Sequence, residues 1–175
     1  MTAPRLLLAA LVATVLAVAT ISVAALVGDR SAAPRVASSA TAAAAPDTEA
    51  RTPRTGALAV LAAWDQRRSE AWADGDAAAL ADLYEPGSTA GRRDLAMLRA
   101  WRERGLRVTG LRMQVLDAEV IDTADARLVL RVTDRVAAAR AVGRGLDATL
   151  PADRPTTRQI TLVRHAEGWR VADVV

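Results

Sequence analysis

LRVTGLRMQVLDAEVIDTADARLVLRVTDRV, residues 106–136, decides the fold. Its apolar residues recur at every second position, the period of a half-buried strand, but the parity changes along the way. Leu106 and Val108 share one parity, Leu111, Met113 and Val115 take the other, and Leu116, Ala118 and Val120 return to the first. Each change requires a bulge or a bend, and Gly110 marks one of them. A long strand bent twice in this way can curl around a helix. Asp122-Thr123-Ala124-Asp125 then supplies a hairpin turn into a second strand over residues 126–140. Two further strand-like stretches, 156–165 and 169–174, flank a turn at Ala166-Glu167-Gly168, while residues 143–155, with two prolines, read as a longer mobile loop.

Upstream of this meander the period is helical. Val60, Leu61, Trp64, Ala71 and Trp72 recur at helical spacing from Ala57 onward, with Asp65, Arg67 and Glu70 elsewhere around the axis. Gly75 suits a left-handed C-terminal cap, and Asp76 is placed to accept amide hydrogens at the start of a short second helix through Ala79, Leu80, Leu83 and Tyr84. A third helix follows Ser88, its expected cap, and carries Leu95, Met97, Leu98 and Trp101 before Gly105 closes it. Arg92 and Arg93 near its start oppose the helix dipole and are expected to be exposed. The expected class is α+β: three N-terminal helices packed on a bent antiparallel sheet of four or more strands.

Residues 6–27 contain no charge, and Gly28, Asp29 and Arg30 end that run. A membrane-spanning helix needs about 20 apolar residues, and a cleavable signal about 7 to 15, so these residues read as a retained anchor. The short leader leaves nothing to fold inside, which puts the N-terminus in the cytoplasm and the domain outside. Cleavage after Ala25 or Ala33 is the alternative, and its product is secreted. Residues 28–55, rich in Ala, Pro, Ser and Thr, read as a flexible linker, and 56–175 as one domain.

Composition excludes several chemistries. With no Cys there is no disulfide framework, thiolate metal site or cysteine nucleophile. With no Lys there is no Schiff base and no phosphate-loop lysine. The pI near 10.7 is set by Arg alone, because residues 56–175 carry 18 Arg against 17 acidic residues. That near-neutral balance lacks the concentrated basic face that phosphate binding demands, so nucleic acid is not an expected partner. A single His leaves no zinc cluster, and neither metal nor cofactor is expected.

Ala71-Trp72-Ala73-Asp74-Gly75-Asp76 ending the first helix, Leu80-Ala81-Asp82-Leu83-Tyr84 on the second and Gly168-Trp169-Arg170-Val171 in the last strand together resemble the nuclear-transport-factor-two-like superfamily, including its SnoaL-like branch. The resemblance covers residues 57–175. It implies a cystatin-like cone whose open end holds a small-molecule pocket, in a superfamily where many members are non-catalytic. The order of anchor, linker and domain also resembles that of two bacterial groups, the actinobacterial Mce-associated membrane proteins and the periplasmic assembly components of type IV secretion.

Asp134 is the one catalytic candidate. It shares strand parity with Leu128, Leu130, Val132 and Val136, so its carboxylate points with apolar residues into a desolvated setting, where a general base is tuned. Arg131, Arg135 or a cross-strand Arg can instead hold it in a structural ion pair. Trp64, Tyr84 and Trp101, with Asp134, are the expected ligand-binding residues; as plain core fillers they also make sense. His165, beside a turn, reads as a solvated edge residue. The sequence thus points to a membrane-tethered, extracytoplasmic, non-enzymatic binding or assembly module. Its expected partners are the membrane, through residues 6–27, and a protein, a second copy included, or an apolar small molecule. The alternative is a SnoaL-like acid/base enzyme that uses Asp134 on a small hydrophobic substrate.

Overall fold

A computed structural model describes the backbone of residues 47–175 and the side chains from Arg54 onward. The expected anchor over residues 6–27 lies outside the described residues. No helix among the described residues is long and apolar enough to cross a membrane.

Among the described residues three helices precede five strands: α1 (Asp47–Asp74), α2 (Ala77–Ala81), α3 (Thr89–Glu103), β1 (Arg107–Ala124), β2 (Arg127–Gly143), β3 (Leu146–Thr149), β4 (Thr156–His165) and β5 (Gly168–Val174). The first helix begins at Asp47, ahead of the Ala57 from which the apolar period runs. Its stop is the expected one. Gly75 adopts φ 67°, and the Asp76 carboxylate accepts from the Ala78 and Ala79 amides at the start of α2. The Ser88 hydroxyl likewise accepts from the Gly91 amide at the start of α3.

All strand pairings are antiparallel, in the order β1-β2-β4-β5, and β2 is long enough to serve two partners on one side. Its first half pairs with β4, from Arg127↔Val163 to Asp134↔Thr156, and its end pairs with β3, from Arg140↔Thr149 to Gly143↔Leu146. Strand β3 corrects the expectation of a free loop over residues 143–155. Gly143, Arg144 and Gly145 all take positive φ, at 131°, 48° and 77°, which turns the chain back onto β2 at once. The chain beyond is strapped down as well, because the Asp153 carboxylate accepts from the Val136 amide at 2.6 Å.

Strand β1 bends where its parity changes. Its register against β2 slips between Thr109 and Arg112, where Gly110 has φ 61°, and again between Val115 and Asp117. Two more slips, between Arg112 and Met113 and between Val120 and Asp122, fall beyond the two read from the sequence. These bends let the sheet fold over the helices. Leu80, Leu98, Trp101, Leu130, Val132, Leu162 and Val171 are the most deeply buried large side chains. The segment after α2 also joins the sheet: Glu85 donates its amide to the Val171 carbonyl, and the Val171 amide donates to Leu83, both at 2.9 Å.

Leu162, fully buried on β4, and Leu116, 49% exposed at a β1 bulge, test this packing. Leu162→Ala is expected to cost about 2–5 kcal/mol in urea denaturation, whereas Leu116→Ala changes stability by less than about 0.5 kcal/mol.

Candidate functional site

Helix α1 presents two stripes to the rest of the domain. One, through Leu61, Trp64, Arg68 and Trp72, follows the three-and-four spacing of a buried face. Its polar members meet Asp94 of α3, a buried carboxylate that sequence reading did not single out. Arg68 donates to both Asp94 oxygens at 2.7 Å, the Tyr84 hydroxyl donates at 2.7 Å and the Trp72 indole at 3.2 Å. Burial works against the Arg68 charge, yet Asp94 outweighs it, with help from Tyr84 and Asp65, and holds the guanidinium above its usual range. Burial also pushes the Tyr84 phenol up; Arg68 opposes this and Asp94 adds to it. Both groups therefore keep their protons across the physiological range.

The second stripe of α1, through Leu58, Ala62, Asp65 and Ser69, lies over β1 and forms one wall of a cleft of about 210 Å³. Leu111, Met113 and Val115 of β1 form the other wall. The Ser69 hydroxyl donates to the Leu111 carbonyl at 2.8 Å and fixes helix to strand just past the Gly110 bulge. Asp65 is half-buried here and has no hydrogen-bond partner among the described residues. Burial lifts its carboxyl from 3.8 to about 6; Arg68 and Arg158 oppose that rise, and Asp134 adds to it.

Asp134 is buried, 3% exposed, as its strand parity requires. The cross-strand residue that holds it is Arg158 of β4, whose one terminal nitrogen donates to both carboxylate oxygens, at 2.7 and 2.8 Å. The Arg158 Nε is buried without a partner. Arg131 and Arg135 turn to Glu119 and Gln114 instead. Asp134 pairs in register with Val115, so it lies beside the cleft, although it is not part of its lining.

The structure brings together two of the other expected ligand-binding residues. Trp64 and Tyr84 meet edge to face, with ring centroids 5.5 Å apart and planes at 88°. The Trp64 indole donates to the Leu83 carbonyl at 2.9 Å. Trp101 lies apart from them at the end of α3, 2% exposed. None of these three lines the cleft over β1. His165 departs from its expected place as a solvated edge residue: it is half-buried and its Nε2 meets Glu85, tying the end of β4 to the loop after α2. Arg92 is exposed as expected and folds back on the Gly87 carbonyl and the Thr89 hydroxyl.

A larger groove of about 650 Å³ runs between the end of α1, α2 and the β4–β5 hairpin. Glu70, Asp74, Asp82 and Glu167 give it an acidic lining. Two of its polar groups are already engaged, since Asp76 caps α2 and Arg67 donates to the Trp169 carbonyl at 3.1 Å. Among the described residues no three His, Asp or Glu side chains converge as metal ligands.

No protein-family model matches this sequence, and no curated protein matches it. Solved structures to which it is similar include the intermembrane space region of chloroplast protein ARC6, at 17% identity over 74% of this chain and 97% of that one, with a TM-score of 0.47. An NTF2-like protein with a cystatin-like fold from Novosphingobium aromaticivorans is 16% identical over 73% of this chain and 85% of its own, with a TM-score of 0.41. The β subunit of benzoate 1,2-dioxygenase from Burkholderia mallei is 12% identical over 67% and 87%, with a TM-score of 0.45. At these identities the likeness is one of fold alone.

Two measurements check the electrostatics. Asp94→Ala leaves Arg68 without its counter-ion and is expected to cost about 3–5 kcal/mol, whereas Asp122→Ala, which breaks an exposed pair with Arg127, costs less than about 1 kcal/mol. Asp65 has the opposite sign. Its folded pKa is raised, so the unfolded chain ionises first and stability falls as pH rises from about 4 to about 6. Asp65→Asn is therefore expected to be more stable than the wild type at pH 7.5, by about 2–3 kcal/mol, with the advantage vanishing below pH of about 4.

Proposed function

We propose that this protein is a non-enzymatic binding module, held on the outer side of a membrane by residues 6–27, that takes a small apolar ligand in the cleft between α1 and β1. The observation that supports this reading is the contrast between the cleft and its surroundings. Leu58, Leu61, Leu111, Met113 and Val115 offer apolar walls, while the buried carboxylates nearby, Asp94 and Asp134, are tied to the half-buried Arg68 and Arg158. Such closed pairs hold a shape and leave few groups free for chemistry.

Acid/base catalysis is the second reading, and the surroundings of Asp65 favour it. A carboxyl that titrates at about 6, unpaired and facing an apolar cleft, populates both protonation states near neutral pH and can accept and return a proton. This reading moves the base from Asp134, which Arg158 occupies on both oxygens, to Asp65.

One preparation, the full chain in lipid nanodiscs, separates the two. Cyclohexylmethanol is expected to bind by ligand-observed NMR, and Met113→Trp, which fills the cleft, is expected to abolish that binding. For the enzymatic reading the probe is cyclohexanone in D2O: Asp65-dependent exchange of its α-protons supports a base, and exchange no faster than in Asp65→Asn removes it. The address is checked by fractionating tagged full-length protein and treating intact cells with protease. Cleavage of the domain from outside is expected, and a domain recovered from the cytosol overturns the proposal.

A further inference from the structure

We propose that the α1–β1 cleft selects a small apolar ammonium ion, for which the Asp65 carboxylate is the counter-ion. The inference rests on the binding reading above and adds the chemistry of the ligand. Its basis is a charge left over. Three charged groups face Asp65 from the elements packed around it: Arg68 from its own helix, Asp134 from β2 and Arg158 from β4. Two of them neutralise each other, because Arg158 donates to both Asp134 oxygens, and the third is held by both oxygens of Asp94. Arg112 of β1 also lines the cleft, but it is exposed and is not among the charges that act on Asp65. No cation within the domain hydrogen-bonds to Asp65 among the described residues.

A half-buried carboxylate without a donor is only partly solvated, and an occupant that carries N–H donors and a positive charge supplies the missing hydrogen bonds. The same carboxylate repels a fatty acid or any other anion. The space is small. About 210 Å³ equals the volume of about seven molecules of liquid water, which suits a ring or short chain with one amino group. The Ser69 hydroxyl spends its hydrogen on the Leu111 carbonyl, so toward the ligand it can act only as an acceptor, which suits an ammonium hydrogen. Gln66 sits on the rim with its amide donating to Glu70, which leaves its carbonyl oxygen as a further acceptor for an ammonium hydrogen. Protons compete with the ligand for Asp65, so binding weakens as the carboxyl is protonated below about pH 6.

The test compares three probes of one shape, cyclohexylmethylamine, cyclohexylmethanol and cyclohexanecarboxylate, against the full chain in nanodiscs. At pH 7.5 the amine is expected to bind about tenfold more tightly than the alcohol, and the carboxylate most weakly. Asp65→Asn is expected to remove the preference for the amine while still binding the alcohol, which also shows that the variant is folded. The wild type at pH 4.5 is expected to lose the preference in the same way. Equal affinity for amine and alcohol in the wild type overturns cation selection and leaves apolar binding standing. Failure of all three probes to bind overturns both.

Discussion

Four donors converge on the Asp94 carboxylate, and the packing of the helices depends on that convergence. Arg68 and Trp72 come from α1, Tyr84 from the segment after α2, and Asp94 itself from α3. A buried ion pair of this kind adds little stability over a well-packed apolar contact, but losing one partner is costly, so it acts on geometry more than on net energy. The geometry has a steric condition. Tyr84 reaches Asp94 by lying against Gly91, one helical turn earlier, where a Cβ atom would stand 2.7 Å from the Tyr84 side chain. With Tyr84 fixed there, Trp64 packs on its ring edge and Leu83 and Glu85 line up against Val171 of β5. One carboxylate thus orders three helical segments and, through them, the β5 edge of the sheet.

The parts of this fold that were legible in the sequence are the ones written in short-range pattern. Helix caps at Asp76 and Ser88, the left-handed Gly75 and the parity changes along β1 are each set by residues within a few positions of one another. The burial of Asp134 was legible for the same reason, since its strand parity is local. Its partner was not, because Arg158 is distant in sequence and adjacent only through the pairing of β2 with β4. Strand β3 was hidden by composition: prolines and glycines spread over residues 143–155 look like a loop, although the glycines turn the chain at once and leave Leu146–Thr149 free to pair.

Asp65 and Asp94 were missed for a related reason. Each carries a charge, and in an amphipathic helix a charge is ordinarily counted toward the solvated face. Position was the better guide. Asp94 precedes Leu98 by four residues and Trp101 by seven, on the buried stripe of α3, and Asp65 follows Leu58 and Leu61 by the same helical spacings. What the spacing does not carry is the accounting of charge in three dimensions. Asp94 has Arg68 and Asp134 has Arg158, and these pairs leave Asp65 as a half-buried acid without a hydrogen-bond partner among the described residues.

The bend in β1 and the cleft have a common origin. A strand of unbroken period would send Leu111, Met113 and Val115 to the opposite face from Leu106 and Val108, away from the helices, because a shift of one residue exchanges the two faces. The extra residue at Gly110 reverses that assignment, so apolar side chains on both sides of the bulge turn inward. It also lets the strand lean, and the Ser69 hydroxyl then holds α1 to the Leu111 carbonyl at that point. Helix and strand are consequently close at Ser69 and bounded by Leu58 and Val115 farther along, which is the space that Asp65 faces. The device that curves the sheet is therefore the same one that opens the site, and a chain without the bulge would lose both.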